Sequence, residues 1–261
     1  MYKNKFNLIN KEIIILGGFG LIGFETVKGL LELGAKVLIL DNIFDKKKFE
    51  LLKHNYNKNL NFKKFDLTKN KGKEFKKILK LQSIFINCSY PKNKYWNKNN
   101  FSQMNEITLT ESLRKNLVPS INTSIIFAEY LKSKKRAGSI IQLSSIYGLV
   151  AQNFNVYKKT KIKENNGYSL IKSSLHHFSK QMCSYYSKNN IRINSVCPGG
   201  VLSKKDKNQS KTFLKNYKKN VPIKRLAEPN EIASCIIFLS MDASSYITGS
   251  TLIVDGGWTS I

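Results

Sequence analysis

Short apolar runs alternate with amphipathic stretches along the chain, and this pattern predicts a regular series of strands and helices. Strands are predicted at Glu12–Leu16, 36–40, 61–65, 83–87, 139–144, 191–197 and Thr251–Val254. Helices are predicted at 21–33, 168–187 and 228–239, and a longer helical region at 101–132. Gly34 follows the first helix at the position of a helix C-terminal glycine.

The order of these elements predicts the fold class. Strand and helix alternate with short connections and without an internal repeat, which favours an α/β, doubly wound parallel sheet of about seven strands with helices on both faces. We expect one Rossmann-type domain over residues 1–261. Pro119 lies inside the longest helical region and predicts a kink or a break there. Lysine-rich stretches at 46–48, 71–80 and 203–219 are predicted to be solvated faces and loops.

The charge of the chain is strongly basic, with 44 Lys and Arg against 17 Asp and Glu, a net +27. Four of the basic residues are Arg and forty are Lys, and Asn occurs 28 times. Lys, Asn and Ile share A/T-rich codons, so genome composition is a sufficient explanation. Because phosphate and base recognition favours the Arg fork, we expect no specific nucleic-acid partner.

Two further function classes are disfavoured by the sequence. No apolar run approaches about 18 residues, so no membrane-spanning helix is expected. Neither the cysteines nor the three histidines have metal-ligand spacing, so no metal is predicted. Unpaired cysteines are typical of a reduced, cytoplasmic protein. The cysteines are Cys88, Cys183, Cys197 and Cys235.

A glycine-rich loop follows the first predicted strand and opens the first helix. Gly17, Gly20 and Gly23 are spaced three apart, and glycines there allow backbone N–H groups to approach a pyrophosphate. Leu21 and Ile22 begin the helix, whose N-terminus carries partial positive charge, and are included in this predicted site.

Carboxylates at the ends of the next two strands extend the predicted dinucleotide site. Asp41 lies 24 residues after Gly17, where a carboxylate accepts hydrogen bonds from a ribose and repels a 2′-phosphate. NAD is therefore favoured, the lysines at 46–48 keep NADP as the alternative, and a helix N-cap is the structural alternative for Asp41. Asp66, with Leu67, is predicted to contact the adenine, or else to form a plain turn.

Tyr168 and Lys172 are four residues apart on one predicted helix and share a face. An ammonium near a phenol favours the phenolate and lowers a pKa that is ordinarily about 10. The pair could therefore exchange a proton with a carbonyl or an alcohol. Ser144 and Ser145 end the fifth strand, at the sheet edge where such folds bind ligands.

Taken in order, these residues resemble the short-chain dehydrogenase/reductase family over nearly the whole chain. The matching segments are the glycine loop, Asp41, Asp66, 87–89, 115–117, 144–145, 168–172, 191–194, 198–200 and 254–257. The resemblance implies an NAD(H)-dependent oxidoreductase that interconverts a secondary alcohol and a ketone. It also implies a homo-oligomer, either a dimer or a tetramer.

The resemblance implies a catalytic tetrad of Asn116, Ser145, Tyr168 and Lys172. Tyr168 would be the general acid/base, Lys172 would lower its pKa and hold the nicotinamide ribose, and Ser145 would position the substrate oxygen. Asn116 would hold a water of the proton relay through its helix. The implied cofactor contacts also include Asn87, Pro198, Gly199 and Val201.

Ser145 and Tyr168 are 23 residues apart, roughly ten more than is usual in this family, so an insert is predicted at about 149–167. It contains Lys158, Lys159, Lys161 and Lys163 and is expected to border the substrate pocket. Together with the segments 87–91 and 144–148, this insert is similar to that of bacterial dehydrogenases of the family that are found with flagellin-glycan and legionaminic-type carbohydrate biosynthesis. A sugar or sugar phosphate is therefore the expected small-molecule substrate.

Three alternatives stay open at the level of sequence. The four lysines could form a plain surface loop. The enzyme could be a 3-oxoacyl-carrier-protein reductase, whose acidic partner would suit a basic surface, although such reductases lack the insert. The chain could also be a non-catalytic dinucleotide-sensing or nucleic-acid-binding protein, against which the complete tetrad argues.

Overall fold

A seven-stranded parallel sheet forms the centre of the protein, for which the computed structural model describes residues 2–69, 71–92, 94–203 and 209–261. The strand order is β3-β2-β1-β4-β5-β6-β7, and each neighbouring pair is parallel. The strands are β1 Glu12–Leu16, β2 Lys36–Asp41, β3 Leu60–Lys64, β4 Ile84–Asn87, β5 Gly138–Leu143, β6 Ile191–Pro198 and β7 Thr251–Val254. The predicted α/β class and strand number are confirmed.

Helices cover both faces of this sheet. They are α1 Tyr2–Lys5, α2 Leu21–Glu32, α3 Lys46–Tyr56, α4 Gly72–Ile78, α5 Glu106–Ser112, α6 Val118–Ser133, α7 Asn166–Tyr186, α8 Lys211–Lys219 and α9 Pro229–Ser240. Alternate residues of β1 enter two separate cores: Ile13 and Ile15 pack towards α2 and α9, whereas Ile14 and Leu16 pack towards α4 and α6. Burial on both faces explains why this strand is a continuous apolar run.

Three of the helices lie wholly or partly in the lysine-rich stretches that were predicted to be solvated faces and loops. Most of the described lysines do lie on solvated faces, but these stretches form helices, so the prediction of loops was wrong there. In α3 the side chains of Phe49 and Leu52 are buried, and in α4 those of Phe75 and Ile78 are buried. Each helix therefore needs a single apolar stripe, and the lysines occupy its exposed side. In α8 the buried side chain is that of Tyr217. Residues 204–208 of the stretch at 203–219 lie outside the described residues.

The predicted disturbance at Pro119 takes the form of a π-helical turn at Leu113–Leu117, directly between α5 and α6. Proline has no N–H to donate to the Lys115 carbonyl, four residues earlier, so regular α-helical pairing cannot continue there. A wider i→i+5 turn accommodates the missing donor without breaking the helix axis. Asn116 lies inside this turn.

The strand order reverses between β1 and β4, because the chain moves outward from β1 to β3 and then returns to the other side. Doubly wound sheets bind ligands at the carboxyl ends of the strands beside such a reversal. The glycine loop follows β1 there, and Asn87 ends β4. No helix among the described residues has the length and apolar character needed to span a bilayer.

Candidate active site

The glycine loop after β1 is held in a conformation that larger residues would disturb. Gly17 has φ +75°, and a Cβ there would lie 2.9 Å from the Ser89 Cα. A Cβ on Gly23 would lie 2.1 Å from the Gly17 carbonyl oxygen. Gly20 is the N-cap of α2, and no described side chain caps that N-terminus. The loop and the helix end therefore fit a pyrophosphate, with the Leu21 and Ile22 N–H groups in the first turn.

Asp41 lies beside this loop and accepts a hydrogen bond from the Phe19 N–H at 3.1 Å. It does not cap the following helix, because the N-cap of α3 is Asp45, which accepts from the Lys48 N–H at 3.1 Å. The Lys48 ammonium donates to the Phe19 carbonyl, so a cation also lies at this end of the cleft. Asp41, which was predicted to favour NAD, and Lys48, which was predicted to keep NADP as the alternative, therefore lie close together.

Asp66 forms a local turn at the end of β3. Its Oδ1 accepts from the Thr68 N–H at 3.0 Å and from the Thr68 hydroxyl at 2.7 Å. The structural alternative of a turn aspartate is thus seen in the contacts, and the Leu67 side chain is buried beneath it. An adenine contact by Asp66 remains a prediction.

Two segments frame the far end of the predicted dinucleotide site. Asn87 is buried, donates to Gln142 Oε1 at 3.1 Å and accepts from the Ser89 N–H at 3.1 Å, which fixes the chain after β4. After Pro198, the Gly199 N–H donates to the Val254 carbonyl at 3.0 Å. Val201 forms a parallel bridge with Ala227. The cofactor roles predicted for these residues remain predictions.

Ser145, Tyr168 and Lys172 come together at the carboxyl end of β5. The Ser145 hydroxyl accepts from the Tyr147 N–H at 3.2 Å and hydrogen-bonds the Tyr168 phenol. Lys172 is buried, and its Nζ donates to the Leu143 carbonyl at 2.6 Å and lies 5.6 Å from the Tyr168 ring centroid. Ser144 does not face the same way, since its hydroxyl donates to the Lys172 carbonyl at 2.8 Å.

Burial dominates the electrostatics of this group. It raises the pKa of Tyr168, although the Ser145 hydrogen bond acts in the opposite direction, and it lowers the pKa of Lys172 to about 8. The net direction of the Tyr168 pKa is therefore upward, not the lowering that was expected, because burial is the largest influence and the Lys172 ammonium donates to the Leu143 carbonyl. Stabilisation of a Tyr168 phenolate by Lys172 stays a prediction. Tyr168 is a protonated acid near neutrality.

Asn116 is buried in the π-helical turn, which packs against α7. Its Nδ2 donates to the Ser112 carbonyl at 3.3 Å, whereas its Oδ1 has no hydrogen-bond partner among the described residues. A buried amide oxygen without a protein partner ordinarily binds an ordered water. This is compatible with the water-holding role implied by the resemblance, which stays a prediction.

Sequence reasoning assigned no role to several side chains that surround Tyr168. The Tyr90 and Trp96 ring centroids lie 5.0 Å and 6.2 Å from that of Tyr168. Asn165 caps α7 by accepting from the Tyr168 N–H at 2.8 Å, and its Nδ2 donates to the Trp96 carbonyl at 2.9 Å. The N-cap pattern of Asn165 was visible in the sequence. The aromatic contacts depend on how the chain after β4 folds back.

The segment at 149–167 lies between the site and α8. Gln152 donates to the Ser169 hydroxyl at 2.6 Å, and the Tyr157 hydroxyl donates to the Tyr147 hydroxyl at 3.3 Å. Asn216 of α8 donates to the Lys158 carbonyl at 2.8 Å. The side of the segment near Tyr168 is thus neutral and polar, and its four lysines are exposed without an ion pair to a described carboxylate.

Metal ligation finds no support in this arrangement. Within the ranges that the structure describes, no three His, Cys, Asp or Glu side chains cluster closely enough to hold a metal ion. Close to Tyr168 the described polar groups include the Ser145 hydroxyl, the Lys172 ammonium and the Asn165 amide.

Fold and site together define a Rossmann-type dinucleotide-binding protein with a Ser–Tyr–Lys grouping. The family model described as Enoyl-(Acyl carrier protein) reductase matches residues 21–259. The chain is 32% identical to post-translational flagellin modification protein A of Campylobacter coli, with 96% of this chain and 99% of that protein covered. It is 28% identical to the 3-oxoacyl-[acyl-carrier-protein] reductase FabG of Chlamydia trachomatis, with 96% and 98% covered.

A solved structure of a short-chain dehydrogenase from Leptospira borgpetersenii with bound NAD+ superposes with a TM-score of 0.82. It is 27% identical, and the match covers 97% of this chain and 94% of that chain. The chain belongs to the short-chain dehydrogenase/reductase family, whose members are NAD(P)-dependent oxidoreductases.

Proposed function

We propose that the protein is an NAD(H)-dependent oxidoreductase that interconverts a secondary alcohol and a ketone, with Tyr168 as the general acid/base. The observation that carries the proposal is that Ser145, Tyr168 and the buried Lys172 come together at the carboxyl edge of the sheet, with the Ser145 hydroxyl acting on the Tyr168 phenol. The glycine loop that would hold the pyrophosphate lies at the same edge. Asp41 supports NAD as the cofactor, and Lys48 leaves NADP as the alternative.

When bound, the cofactor would supply or accept the hydride. In the reductive direction the Tyr168 hydroxyl gives its proton to the substrate oxygen as the carbonyl carbon gains the hydride. The burial that raises the pKa of Tyr168 keeps this proton available near neutrality. Ser145 orients the same oxygen, and Lys172 supplies the positive charge that stabilises the phenolate left behind.

Proton resupply would pass through the space between α7 and the π-helical turn. The Asn116 Oδ1 is the unpaired acceptor there and would hold a water. Gly17, Gly20 and Gly23 would leave room for the pyrophosphate. Pro198, Gly199 and Val201 would cover the nicotinamide, and Asp66, Leu67 and Asn87 would complete the cofactor contacts.

A sugar or a sugar-derived anion is the substrate class that we favour. Aromatic rings and neutral polar groups surround Tyr168, which suits the apolar faces and hydroxyls of a sugar ring. The 149–167 insert would present Lys158, Lys159, Lys161 and Lys163 to a phosphate or carboxylate farther out. The similarity to a flagellin modification protein supports a role in carbohydrate biosynthesis.

Replacing Tyr168 tests the proposal directly. Tyr168→Phe should lower hydride transfer by about 10³-fold or more, because the proton donor is lost, and should leave NADH affinity within about twofold. The matched control is Tyr185→Phe, since Tyr185 is an exposed tyrosine of the same helix. Full activity of Tyr168→Phe, measured by NADH oxidation with a panel of keto-sugars, would exclude Tyr168 as the acid.

Replacing the four insert lysines by glutamine tests the substrate assignment. KM for a keto-sugar phosphate should rise about tenfold or more, whereas KM for the unphosphorylated sugar should change little, since exposed charges act on the anion alone. Lys73, Lys76, Lys77 and Lys80, replaced together by glutamine, provide a control of equal charge in and directly after α4, outside the insert. An unchanged KM for both sugars would reduce the insert to a surface loop.

A second candidate is a 3-oxoacyl-carrier-protein reductase, which the Chlamydia relative favours. Acetoacetyl thioesters and keto-sugars, offered at equal concentration with NADH and NADPH, separate the two candidates by kcat/KM. A non-catalytic dinucleotide sensor would bind NADH in the same assay without turnover. We propose that the protein is a single domain that works in the cytoplasm. We also propose that it forms a homo-oligomer, and light scattering of the purified protein can test this oligomeric state.

A further inference from the structure

Tyr90 follows β4 at the carboxyl edge and contacts both members of the Tyr168–Lys172 pair. Its ring meets that of Tyr168 at 5.0 Å with the planes 73° apart, an edge-to-face contact. The Lys172 Nζ lies 5.0 Å from the Tyr90 ring centroid, closer than the 5.6 Å to the Tyr168 ring. The ammonium is therefore covered by Tyr90.

Ring contacts and hydrogen bonds join the segment that carries Tyr90 to α7, the helix of Tyr168 and Lys172. Trp96 packs on Tyr90 at 5.6 Å and on Tyr168 at 6.2 Å. The Asn165 side chain joins the Trp96 carbonyl to the Tyr168 N–H, at 2.9 Å and 2.8 Å. The chain after β4 and the first turn of α7 are therefore joined by direct contacts at Tyr168.

We propose that Tyr90 is a positioning residue of the active site: its ring shields the Lys172 ammonium from water and holds the Tyr168 ring in place. This inference rests on the proposed function, because it gives Tyr90 a part in the reaction assigned to Tyr168. Tyr90 is not one of the four residues of the predicted catalytic tetrad.

The other titratable groups that face the pair stay neutral near pH 8. Burial raises the pKa of Cys88, after β4, to about 12, and also raises the pKa of Cys197 in β6. Burial likewise raises the pKa values of Tyr90, Tyr147 and Tyr157. Glu164 of the insert is the carboxylate on this side of the site, and it also raises the pKa of Tyr157. A change of charge beside these groups therefore belongs to Tyr168 or Lys172.

Removing the Tyr90 ring should admit water to both groups. Better hydration favours the charged forms, so the pKa of Tyr168 should fall and that of Lys172 should rise toward its ordinary value. Both changes favour the phenolate–ammonium state. In the oxidative direction, where Tyr168 accepts a proton, activity should therefore begin at lower pH.

The test compares Tyr90→Ala with Tyr90→Phe in the pH dependence of kcat/KM for alcohol oxidation at saturating NAD+, from pH 6 to 10. Tyr90→Ala should move the ascending limb of the profile to lower pH by about one pH unit. Tyr90→Phe keeps the aromatic ring, so the ascending limb of its kcat/KM profile should lie at the same pH as that of the unmodified protein. If Tyr90→Ala does not fold, Tyr90→Gln has a comparable length and tests the same shift.

The inference would be overturned if Tyr90→Ala folds, binds NADH and shows the ascending limb of kcat/KM at the same pH as the unmodified protein. It would also be overturned if Tyr90→Phe and Tyr90→Ala gave the same pH profile. A lower kcat without a pH shift would mean a merely structural role. Full activity of Tyr168→Phe would instead contradict the proposed function, so the two failures are distinguishable.

Discussion

At the residue scale, Asp41 combines a structural contact with the chemistry expected of a ribose site. One carboxylate oxygen accepts the Phe19 N–H and the other the Ile43 N–H, at 3.1 Å and 3.4 Å. These bonds hold the glycine loop against the end of β2. The negative charge remains at the edge of the cleft, where it would repel a 2′-phosphate.

Asp41→Ala should therefore weaken NAD more than NADP. We expect about a tenfold higher Kd for NAD, about 1.4 kcal/mol, and an unchanged or lower Kd for NADP, as measured by calorimetry. Asp45→Ala is the matched control, because it removes the α3 N-cap with a loss of about 1 kcal/mol of stability. That control should leave the NAD/NADP ratio unchanged, and equal weakening of both cofactors by Asp41→Ala would contradict the assignment.

Residue roles were predictable where spacing along the chain fixes geometry. Tyr168 and Lys172 share a helix face by their four-residue separation, and Ser145 reaches them from the end of β5. The direction of the Tyr168 pKa was not predictable, since it depends on burial and on the carbonyl that binds Lys172. Tyr90 was missed for the same reason: its contacts arise from the tertiary path after β4.

At the element scale, the π-helical turn links the backbone N–H that Pro119 lacks to a buried polar group, the Asn116 side chain. Pro119 cannot pair with the Lys115 carbonyl, and the wider turn leaves Asn116 buried with an unpaired Oδ1. The sequence predicted the disturbance. The form of the disturbance depends on packing of α5 and α6 against α7, which holds the helix together across the irregular turn.

Pro119→Ala should restore regular α-helical pairing and move Asn116. We expect an equal or higher unfolding temperature, about tenfold lower kcat and a smaller change in the Kd for NADH, because the glycine loop that would hold the pyrophosphate is not part of this turn. Pro229→Ala, at the start of α9, is the control and should leave kcat unaffected. A Pro119→Ala variant with full kcat would show that the turn is irrelevant to turnover.

The helices that were missed show where pattern analysis of this chain fails. Buried strands such as β1 stand out because every position is apolar, whereas α3 and α4 bury only two apolar side chains each between lysines. Lysine stems can lie along apolar surface with their ammonium groups in water, so a lysine-rich stretch is compatible with a packed helix.

At the scale of the whole molecule, the +27 charge is a property of the surface and not of the reaction. Seven ion pairs join the described residues, far fewer than the 44 basic side chains. The Ser145, Tyr168 and Lys172 chemistry does not depend on this excess. Repulsion among the lysines should, however, oppose the compact state.

The unfolding temperature at pH 7 should therefore rise with salt. Raising NaCl from about 0.02 M to 0.5 M shortens the range of charge interactions and should raise Tm by about 3–6 °C. The protein with the four insert lysines replaced by glutamine should show a smaller rise by differential scanning fluorimetry. A Tm that falls with salt would mean that attractive pairs outweigh the repulsion.

The central claim is that hydride transfer to a ketone depends on the Tyr168 proton, and isotope transfer tests it most directly. The protein is incubated with NADH deuterated at both C4 positions and a panel of keto-sugars and their phosphates, and the products are weighed by mass spectrometry. The account predicts one deuterium in the alcohol formed by the unmodified protein and by Tyr185→Phe, and no labelled product with Tyr168→Phe. Equal labelling by Tyr168→Phe, or no labelled alcohol from any ketone by the unmodified protein, would contradict it.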